Sequence, residues 1–587
     1  MRTHLSLILS TGVLACTADP ATSDGSTGPA SSEATGAVPT TAGPVLTGTT
    51  AELTTGDTGD TGDTGTGTTA AAPDMGPVGP PAVDYLIVAA DPLRAAAEEL
   101  ADLQTSRDHT VVLTGVGELA APGSEPAAVV AAIREHVRGY WQVRDPDRPL
   151  FVLLVGDAAD GAAYDGATVP TGSYTYSLSY EPGPITIATD HVYADMDDDD
   201  LADAAVGRLP AADAAAIHLY FMRSLSEGQV GPWDRRINLF AGSYGQGAIV
   251  DSLIESLVDR VLDEISYDFD ITMTYALQGS PYVYIPEQFS DKVYERINEG
   301  ALVVSYFGHG SESSFDYLKW NGGYYPILDL DQLDDLELAP RAPILTLVAC
   351  TMGAFDLGTS VSETLLARND GPLAVLSSTR ESSVYPNTLY IREFGLAITE
   401  ARAASVGEAF VAAKERMINH DDALRQQIDD AFGLTTSPAD LEALRRSHLY
   451  LYTLFGDPGR PIRYPQPATV AATPAEASPG AELAVAITTP LRGGTATVTL
   501  ESARSQILQP LAPVPPDGDP GRDAVIAANY AAANDKRVAS RSEPVVGGAV
   551  ATNITIPADV PAGFYWLRVY AEDGPHNAFG STLVRVR

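Results

Sequence analysis

The heptapeptide PILTLVA (residues 343–349) is followed directly by Cys350. A continuous apolar run of this length predicts a strand buried on both faces of a parallel sheet. A second run, ALVVSYF at residues 301–307, ends in Gly308-His309-Gly310. Because parallel sheets carry reactive groups beyond the carboxyl ends of their strands, the two runs predict neighbouring strand ends with a thiol and an imidazole. A buried structural cysteine and a loop histidine are the alternative interpretation.

Apolar runs alternate with helical patterns through the middle of the chain. We expect strands at residues 84–90, 111–114, 150–155, 237–241, 271–275 and 373–377. We expect helices between them, at 92–105, 126–141, 250–265, 286–298, 361–368 and 406–418. This alternation predicts an α/β fold with mainly parallel sheets in two halves, residues 81–230 and 231–465.

The pattern changes beyond residue 465. Short alternating segments such as 483–489 and 564–570 lie between Pro and Gly turns. They predict a C-terminal β-sandwich over residues 466–587 that is immunoglobulin-like in size but lacks a cysteine pair. A supporting or docking module is the default expectation for its function.

The first 16 residues have the pattern of an export signal. Arg2 precedes an apolar core at residues 5–14, and VLAC at 13–16 resembles a bacterial lipobox with Cys16 as the lipidated residue. An ordinary signal peptide cut elsewhere is the alternative. Residues 17–80 are rich in Thr, Gly and Asp and predict a disordered tether. We therefore expect an exported lipoprotein, anchored by its lipid at the outer membrane or cell surface.

Charge and cysteine content restrict the function further. The chain has 587 residues and a formal net charge of −41, which argues against nucleic acid as a partner because its phosphates would be repelled. It holds only two cysteines. If Cys16 is lipidated, Cys350 remains a free thiol and no intrachain disulfide can form.

Two other stretches are candidate sites. The acidic run DMDDDD at 195–200, followed by Asp203, offers the oxygen ligands that Ca²⁺ prefers, and Asp195, Asp197 and Asp199 are the candidate ligands. A solvated acidic loop is the alternative, and no cofactor is expected for the chemistry itself. Ser243 in AGSYG (241–245) partly matches the nucleophile elbow of serine hydrolases, but the first glycine is replaced and no ordered acid and histidine motif follows.

Four stretches, in order along the chain, form one larger pattern. They are TDHVY (189–193) with VGRLP (206–210), SYFGHGSE (305–312), LVACTMGAF (347–355) and FGDP (455–458). Together they resemble the motifs of the gingipain family of cysteine peptidases, which share a caspase-like α/β fold. A β-sandwich after the closing turn is also a trait of that family.

The resemblance implies a Cys–His dyad that hydrolyses protein or peptide substrates, with Cys350 as nucleophile and His309 as acid–base. It implies an oxyanion hole formed by the backbone N–H groups of Gly310 and Cys350, and it favours calcium, because metal dependence is common among exported members. Asp251 matches the aspartate that binds the basic residue in arginine-selective members, although it also fits an ordinary helix N-terminus. A sortase-like transpeptidase and a catalytically idle surface-binding protein remain alternatives.

Overall fold

The structure is a computed structural model that describes residues 82–587 except 159–163, 227–228, 244–261, 339–341, 420–424, 427–428 and 430–435. The strands described before residue 466 are β1 (Tyr85–Ala89), β2 (Val111–Gly115), β3 (Phe151–Val155), β4 (Gly172–Tyr176), β5 (Ile185–Thr189), β6 (Ala205–Leu209), β7 (Arg236–Gly242), β8 (Asp270–Ala276), β9 (Val303–Phe307), β10 (Tyr317–Trp320), β11 (Gly323–Pro326), β12 (Ile344–Val348), β13 (Ala374–Ser378) and β14 (Tyr452–Gly456). The α-helices described there are α1 (Glu98–Thr105), α2 (Pro126–Trp141), α3 (Ala214–Ser226), α4 (Phe289–Asn298), α5 (Val361–Leu366), α6 (Val384–Thr399), α7 (Val406–Ile418) and α8 (Pro438–Leu451).

Ten of these strands form one sheet in the order β2-β1-β3-β6-β14-β13-β12-β9-β7-β8. The first five run parallel to one another, and so do the last five. The two sets meet at β13 and β14, which are antiparallel. The α/β prediction with mainly parallel strands is therefore confirmed. The two predicted halves share a single sheet, because β14 comes from the end of the second half and pairs with β6 of the first.

The apolar run at 343–349 forms β12, an interior strand of this sheet. All five of its residues are buried. Leu345 and Leu347 belong to the hydrophobic core on one face, whereas Ile344 and Val348 belong to the core on the other. This alternation follows the two-residue period of a strand and favours apolar side chains on both faces; the hydroxyl of Thr346, the one polar side chain of β12, donates to that of Ser305 at 2.8 Å.

The predicted elements differ from the structure in three ways. The expected helix at 92–105 is shorter, since α1 begins at Glu98 and residues 91–93 form a 3₁₀ turn. Helices α3, α6 and α8 and strands β4, β5, β6, β10, β11 and β14 were not expected. Most of the expected helix at 250–265 lies outside the described residues.

The C-terminal segment forms two packed sheets. Its strands are β15 (Gln466–Pro467), β16 (Thr469–Thr473), β17 (Glu476–Ala477), β18 (Glu482–Thr488), β19 (Thr495–Ser502), β20 (Arg537–Pro544), β21 (Ala549–Thr555), β22 (Gly563–Glu572) and β23 (Asn577–Val586), with helix α9 (Arg522–Asn534) between β19 and β20. One sheet has six strands and the other three. Side chains of β18 alternate strictly between exposed and buried, as expected for one sheet of a sandwich. The predicted β-sandwich is confirmed, and α9 was not foreseen.

Helix α9 covers the edge of the ten-stranded sheet. The edge strand is β8, and the side-chain amide of Asn534 bonds both backbone groups of Met273, accepting from its N–H at 2.8 Å and donating to its oxygen at 3.0 Å. The hydroxyls of Tyr530 and Thr274 lie 2.8 Å apart. An uncovered edge strand presents unpaired backbone groups to other chains. The helix therefore satisfies part of this edge within the same molecule.

Arg504, on the loop after β19, fixes the sandwich to the segment just before β8. It is 7% exposed, and burial lowers its pKa to about 10. Its guanidinium donates to the backbone oxygens of Leu262, Ile265, Ser266 and Phe269, at 2.7, 2.5, 2.7 and 3.1 Å. One side chain thus satisfies four carbonyl groups at a chain turn.

Within the described residues, no helix is both long and apolar enough to cross a lipid bilayer.

We predict that Arg504→Ala lowers the free energy of unfolding by about 2–4 kcal/mol, because buried carbonyl groups lose their donors. Chemical denaturation of the full chain measures this. Arg492→Ala is the control, since Arg492 is exposed and donates to one carbonyl oxygen, that of Gly547 at 3.3 Å. Equal stability losses in the two variants would contradict the role of Arg504.

Candidate active site

Cys350 lies beyond the carboxyl end of β12. Its side chain is buried, and it forms no disulfide within the described residues. The sulfur accepts a hydrogen bond from the backbone N–H of Ser382, with N and Sγ 3.2 Å apart, and the hydroxyl oxygen of Ser382 lies 3.7 Å from the same sulfur. An N–H donor stabilises a thiolate, which is the reactive form of cysteine.

His309 lies beyond the carboxyl end of β9, the strand next to β12. The last residues paired between the two strands are Phe307 and Val348. His309 and Cys350 therefore stand two residues beyond the same pair. The hydroxyl of Tyr306 donates to the backbone oxygen of His309 at 2.6 Å and fixes the chain at this point. The register of the sheet brings the two predicted residues to adjoining segments.

The glycines on both sides of His309 are required by close packing. A Cβ atom on Gly308 would lie 2.7 Å from the hydroxyl of Tyr306, and one on Gly310 would lie 2.7 Å from Met352 Cγ and 3.1 Å from Ala349 Cβ. The 2.7 Å contacts are shorter than real Cβ atoms show, so a side chain at either position would displace Tyr306 or Met352. Gly310 thus packs directly against the chain around the cysteine. The predicted oxyanion-hole donors, the N–H groups of Gly310 and Cys350, belong to these two adjoining segments.

The loop after Cys350 is held in an unusual conformation. Thr351 has a φ of +56°, which non-glycine residues seldom adopt, and its N–H donates to the backbone oxygen of Arg380 at 3.1 Å. The N–H of Gly353 donates to the oxygen of Ser378 at 2.8 Å. The guanidinium of Arg380 pairs with both carboxylate oxygens of Asp356, at 2.8 and 2.5 Å. The chain beyond β13 and the cysteine loop therefore fix each other.

Side chains from three later elements hold Ser382 and Ser383 beside the cysteine. The amide of Asn387 in α6 donates to the hydroxyl of Ser382 at 2.8 Å, and the hydroxyl of Tyr452 in β14 donates to the amide oxygen of Asn387 at 2.7 Å. The N–H of Ser383 donates to Nε2 of His448 in α8 at 3.1 Å.

His448 can accept this hydrogen bond only while its ring is neutral. Nδ1 lies 2.8 Å from the backbone oxygen of Leu444, so the hydrogen-bond pattern assigns the proton to Nδ1 and leaves Nε2 as the acceptor. Burial lowers the pKa of His448 to about 3. Ser382, Asn387 and His448 were not predicted from the sequence, because no short motif links residues that are so far apart along the chain.

The acidic run forms a compact loop just before β6. One carboxylate oxygen from each of Asp195, Asp197 and Asp203 lies within 4.8 Å of the others. The carboxylate of Asp195 also accepts the N–H groups of Asp198 at 2.8 Å and Asp200 at 3.2 Å. Burial raises the pKa values of Asp195 and Asp203.

One of the three predicted ligands, Asp199, does not belong to this group of carboxylates. Asp199 accepts the N–H of Leu201 at 2.8 Å, and Asp203 takes its place beside Asp195 and Asp197. The reason is that the loop folds back, so that the N–H of Asp203 bonds to the backbone oxygen of Ala194 at 2.9 Å. Two further predicted residues, Asp251 and Cys16, lie outside the described residues.

A model of Peptidase family C25 matches residues 79–463. The chain belongs to this family. This match confirms the prediction that the chain belongs to the gingipain family of cysteine peptidases and has the fold of that family.

Individual relatives are distant. An uncharacterized protein of Archaeoglobus fulgidus is 26% identical over 225 residues, which are 35% of this chain and 48% of that protein's length, so the match spans about half of the relative. The Arg-specific cysteine proteinase gingipain R (RgpB) is 17% identical, with 86% of this chain and 98% of that chain covered and a TM-score of 0.47. Latent dimeric PorU from Porphyromonas gingivalis is 14% identical, with 86% and 43% covered and a TM-score of 0.33.

We predict that Asn387→Ala slows alkylation of Cys350 by iodoacetamide at pH 7 about three- to tenfold. A hydrogen bond to a charged group contributes about 1.5–3 kcal/mol, and part of it is lost when Ser382 is no longer held in place. Thr388→Ala is the matched control, because Thr388 lies on the same helix and its hydroxyl donates to the backbone oxygen of Val384 at 2.8 Å. Alkylation as fast in Asn387→Ala as in Thr388→Ala would contradict the role of Asn387.

Proposed function

We propose that this C25 family member is an exported, lipid-anchored cysteine endopeptidase in which Cys350 is the nucleophile and His309 the acid–base. The observation that carries the proposal is the sheet register, which sets both residues two positions beyond the paired residues Phe307 and Val348. Neighbouring strand ends with a thiol and an imidazole are suited to acyl transfer through a covalent intermediate.

In the proposed reaction, the Cys350 thiolate attacks the carbonyl carbon of the scissile peptide bond. The carbonyl oxygen becomes an oxyanion, and the N–H groups of Gly310 and Cys350 stabilise it. His309 protonates the leaving amine as the C–N bond breaks, which leaves a thioester on Cys350. Water, deprotonated by His309, then attacks the thioester and releases the new carboxylic acid. No metal or organic cofactor takes part in these steps.

We predict that Cys350→Ala abolishes peptide cleavage and that His309→Ala lowers its rate at least about 10²-fold, the usual scale of general acid–base catalysis. A peptide-library assay of the full chain measures both. His218→Ala is the control, because His218 is an exposed histidine that pairs with Glu99 at 2.9 Å.

Three results would contradict the proposal of a cysteine endopeptidase. Cleavage that survives in Cys350→Ala would exclude the thiol as nucleophile, with the hydroxyl of Ser243 then the next candidate. Absence of both cleavage and Cys350 labelling in the wild type would favour the idle surface-binding protein. Products joined to an added amine, in place of free acids, would identify a sortase-like transpeptidase that uses the same thioester.

We further propose that the enzyme cleaves after basic residues, arginine before lysine, with Asp251 in the pocket. A carboxylate in a narrow pocket accepts both N–H groups of one guanidinium edge, which an ammonium group cannot reproduce. The support is the match of Asp251 to the family's pocket aspartate, and RgpB is described as Arg-specific.

We predict at least about tenfold higher kcat/KM for an arginine substrate than for an alanine substrate, and loss of that preference in Asp251→Asn. Fluorogenic substrates with Arg, Lys, Ala or Asp before the scissile bond measure it. Asp213→Asn is the control, since the carboxylate of Asp213 caps the start of α3 by accepting the N–H of Ala216. An unchanged preference in Asp251→Asn would remove this residue from the pocket.

Two proposals concern the remaining sequence features. We propose structural Ca²⁺ at Asp195, Asp197 and Asp203, supported by their converging carboxylates. Equal thermal stability in Ca²⁺ and in EDTA would contradict it.

We propose a membrane anchor at Cys16, supported by the lipobox pattern. Unchanged detergent partitioning and processing of Cys16→Ser would contradict that proposal.

A further inference from the structure

A cavity of about 520 Å³ lies between the α/β domain and the β-sandwich. One wall is edge strand β8 together with the start of β7. The opposite wall is formed by β19, β20 and the end of α9. The cavity is remote from the strand ends that carry Cys350 and His309, because it opens at the last strand of the sheet and not at the carboxyl ends of β9 and β12.

The lining of this cavity is basic in a chain that is strongly acidic as a whole. The full sequence carries a formal net charge of −41. Seven cationic side chains line the cavity against four carboxylates. The cations are Arg235, Arg236, Arg296, Arg504, Lys536, Arg537 and Arg568, and the carboxylates are Asp270, Glu299, Glu501 and Asp535. Arg504 is already bonded to four backbone carbonyl groups, so the other six cations are the candidates for binding a ligand.

These cations differ in the donor capacity that they keep after their contacts within the chain. Arg568 is 4% exposed, and its terminal amines bond Glu501 and Asp270, both at 2.5 Å. Its buried Nε meets no acceptor among the described residues. Nη1 of Arg236 donates to the backbone oxygens of Glu299 and Gly300, at 2.7 and 2.8 Å. The Nε of Arg568 is too deeply buried to reach a ligand in the cavity, whereas both bonds of Arg236 use Nη1 and leave its Nη2 donors for a ligand.

We propose that this cavity binds a soluble oligophosphate that bridges the α/β domain and the β-sandwich. Six of the seven cations are arginines, whose planar N–H pairs match the oxygens of a phosphate group two at a time. The cavity has room for more than one phosphate group. The cations come from both walls, so a ligand in the cavity contacts both domains at once. This inference is independent of the proposed peptidase activity.

Binding of sodium tripolyphosphate to the full chain, measured by isothermal titration calorimetry and by thermal unfolding, tests the proposal. We expect saturable one-to-one binding and a rise in melting temperature, because a ligand that binds only the folded state stabilises it. Arg537→Gln removes a cavity cation that pairs with Asp535, two residues away, at 3.0 Å. We expect its Kd for tripolyphosphate to rise about fivefold or more.

The matched control is Arg541→Gln on the same strand. Arg541 pairs with Glu543, also two residues away, but does not line the cavity. We expect its Kd to change less than about twofold. Arg236→Gln tests the opposite wall and is expected to weaken binding as Arg537→Gln does.

Three outcomes would overturn the proposal. They are absence of tripolyphosphate binding at 0.1 M NaCl, equal weakening by Arg537→Gln and Arg541→Gln, and binding of citrate as tight as that of tripolyphosphate. The last result would mean that the cavity selects negative charge without selecting phosphate.

Discussion

The buried ion pair between Arg208 and Asp190 is the interaction on which the rest of the α/β domain depends. Arg208 is fully buried, and its guanidinium bonds both carboxylate oxygens of Asp190, at 2.6 and 2.8 Å. The same group donates to the backbone oxygens of Gly156 and Val169, at 3.0 and 2.9 Å, and lies 4.8 Å from the ring centre of Phe355. Loss of one partner from such a pair typically costs about 3–5 kcal/mol, because the other charge remains buried. Since Phe355 belongs to the loop after Cys350, this pair joins the first set of strands to the loop of the nucleophile.

Asp457 has a similar role at the closing turn. Its carboxylate accepts hydrogen bonds from Tyr85, Gln104 and Arg107, at 2.5, 2.8 and 2.8 Å, and from the N–H of Gly459 at 2.8 Å. The three side-chain donors lie on β1, on α1 and just after it, more than 300 residues earlier in the chain. The turn therefore fixes β14 in the first set of strands. Of the four sequence motifs that resemble gingipains, two stabilise the fold in this way, and the other two bring the thiol and the imidazole together.

The sheet was predictable because its strands are buried on both faces and so appear as uninterrupted apolar runs. The run at 343–349 became β12 at 344–348. Helix α6 was missed for a related reason: it is buried over most of its surface, so its sequence has no polar face and no amphipathic period. The boundary between α8 and β14 was missed because Leu451 ends the helix and Tyr452 begins the strand, with no glycine or proline between them. The pattern of apolar residues therefore predicts half-buried helices and fully buried strands, but it does not predict a helix that is surrounded by protein.

The same distinction applies to the site. Cys350 and His309 were found because each follows a strong strand signal, and a parallel register then carries both to one edge of the sheet. The side chains that position the sulfur come from elements without such signals: Asn387 lies in α6 and His448 in α8. Their function depends on tertiary contacts, because each acts through one hydrogen bond to a short segment, Ser382 and Ser383, that has no pattern of its own. A sequence can therefore identify the reacting groups of such a site, whereas the groups that set their geometry become visible only when the helices around the sheet have been placed.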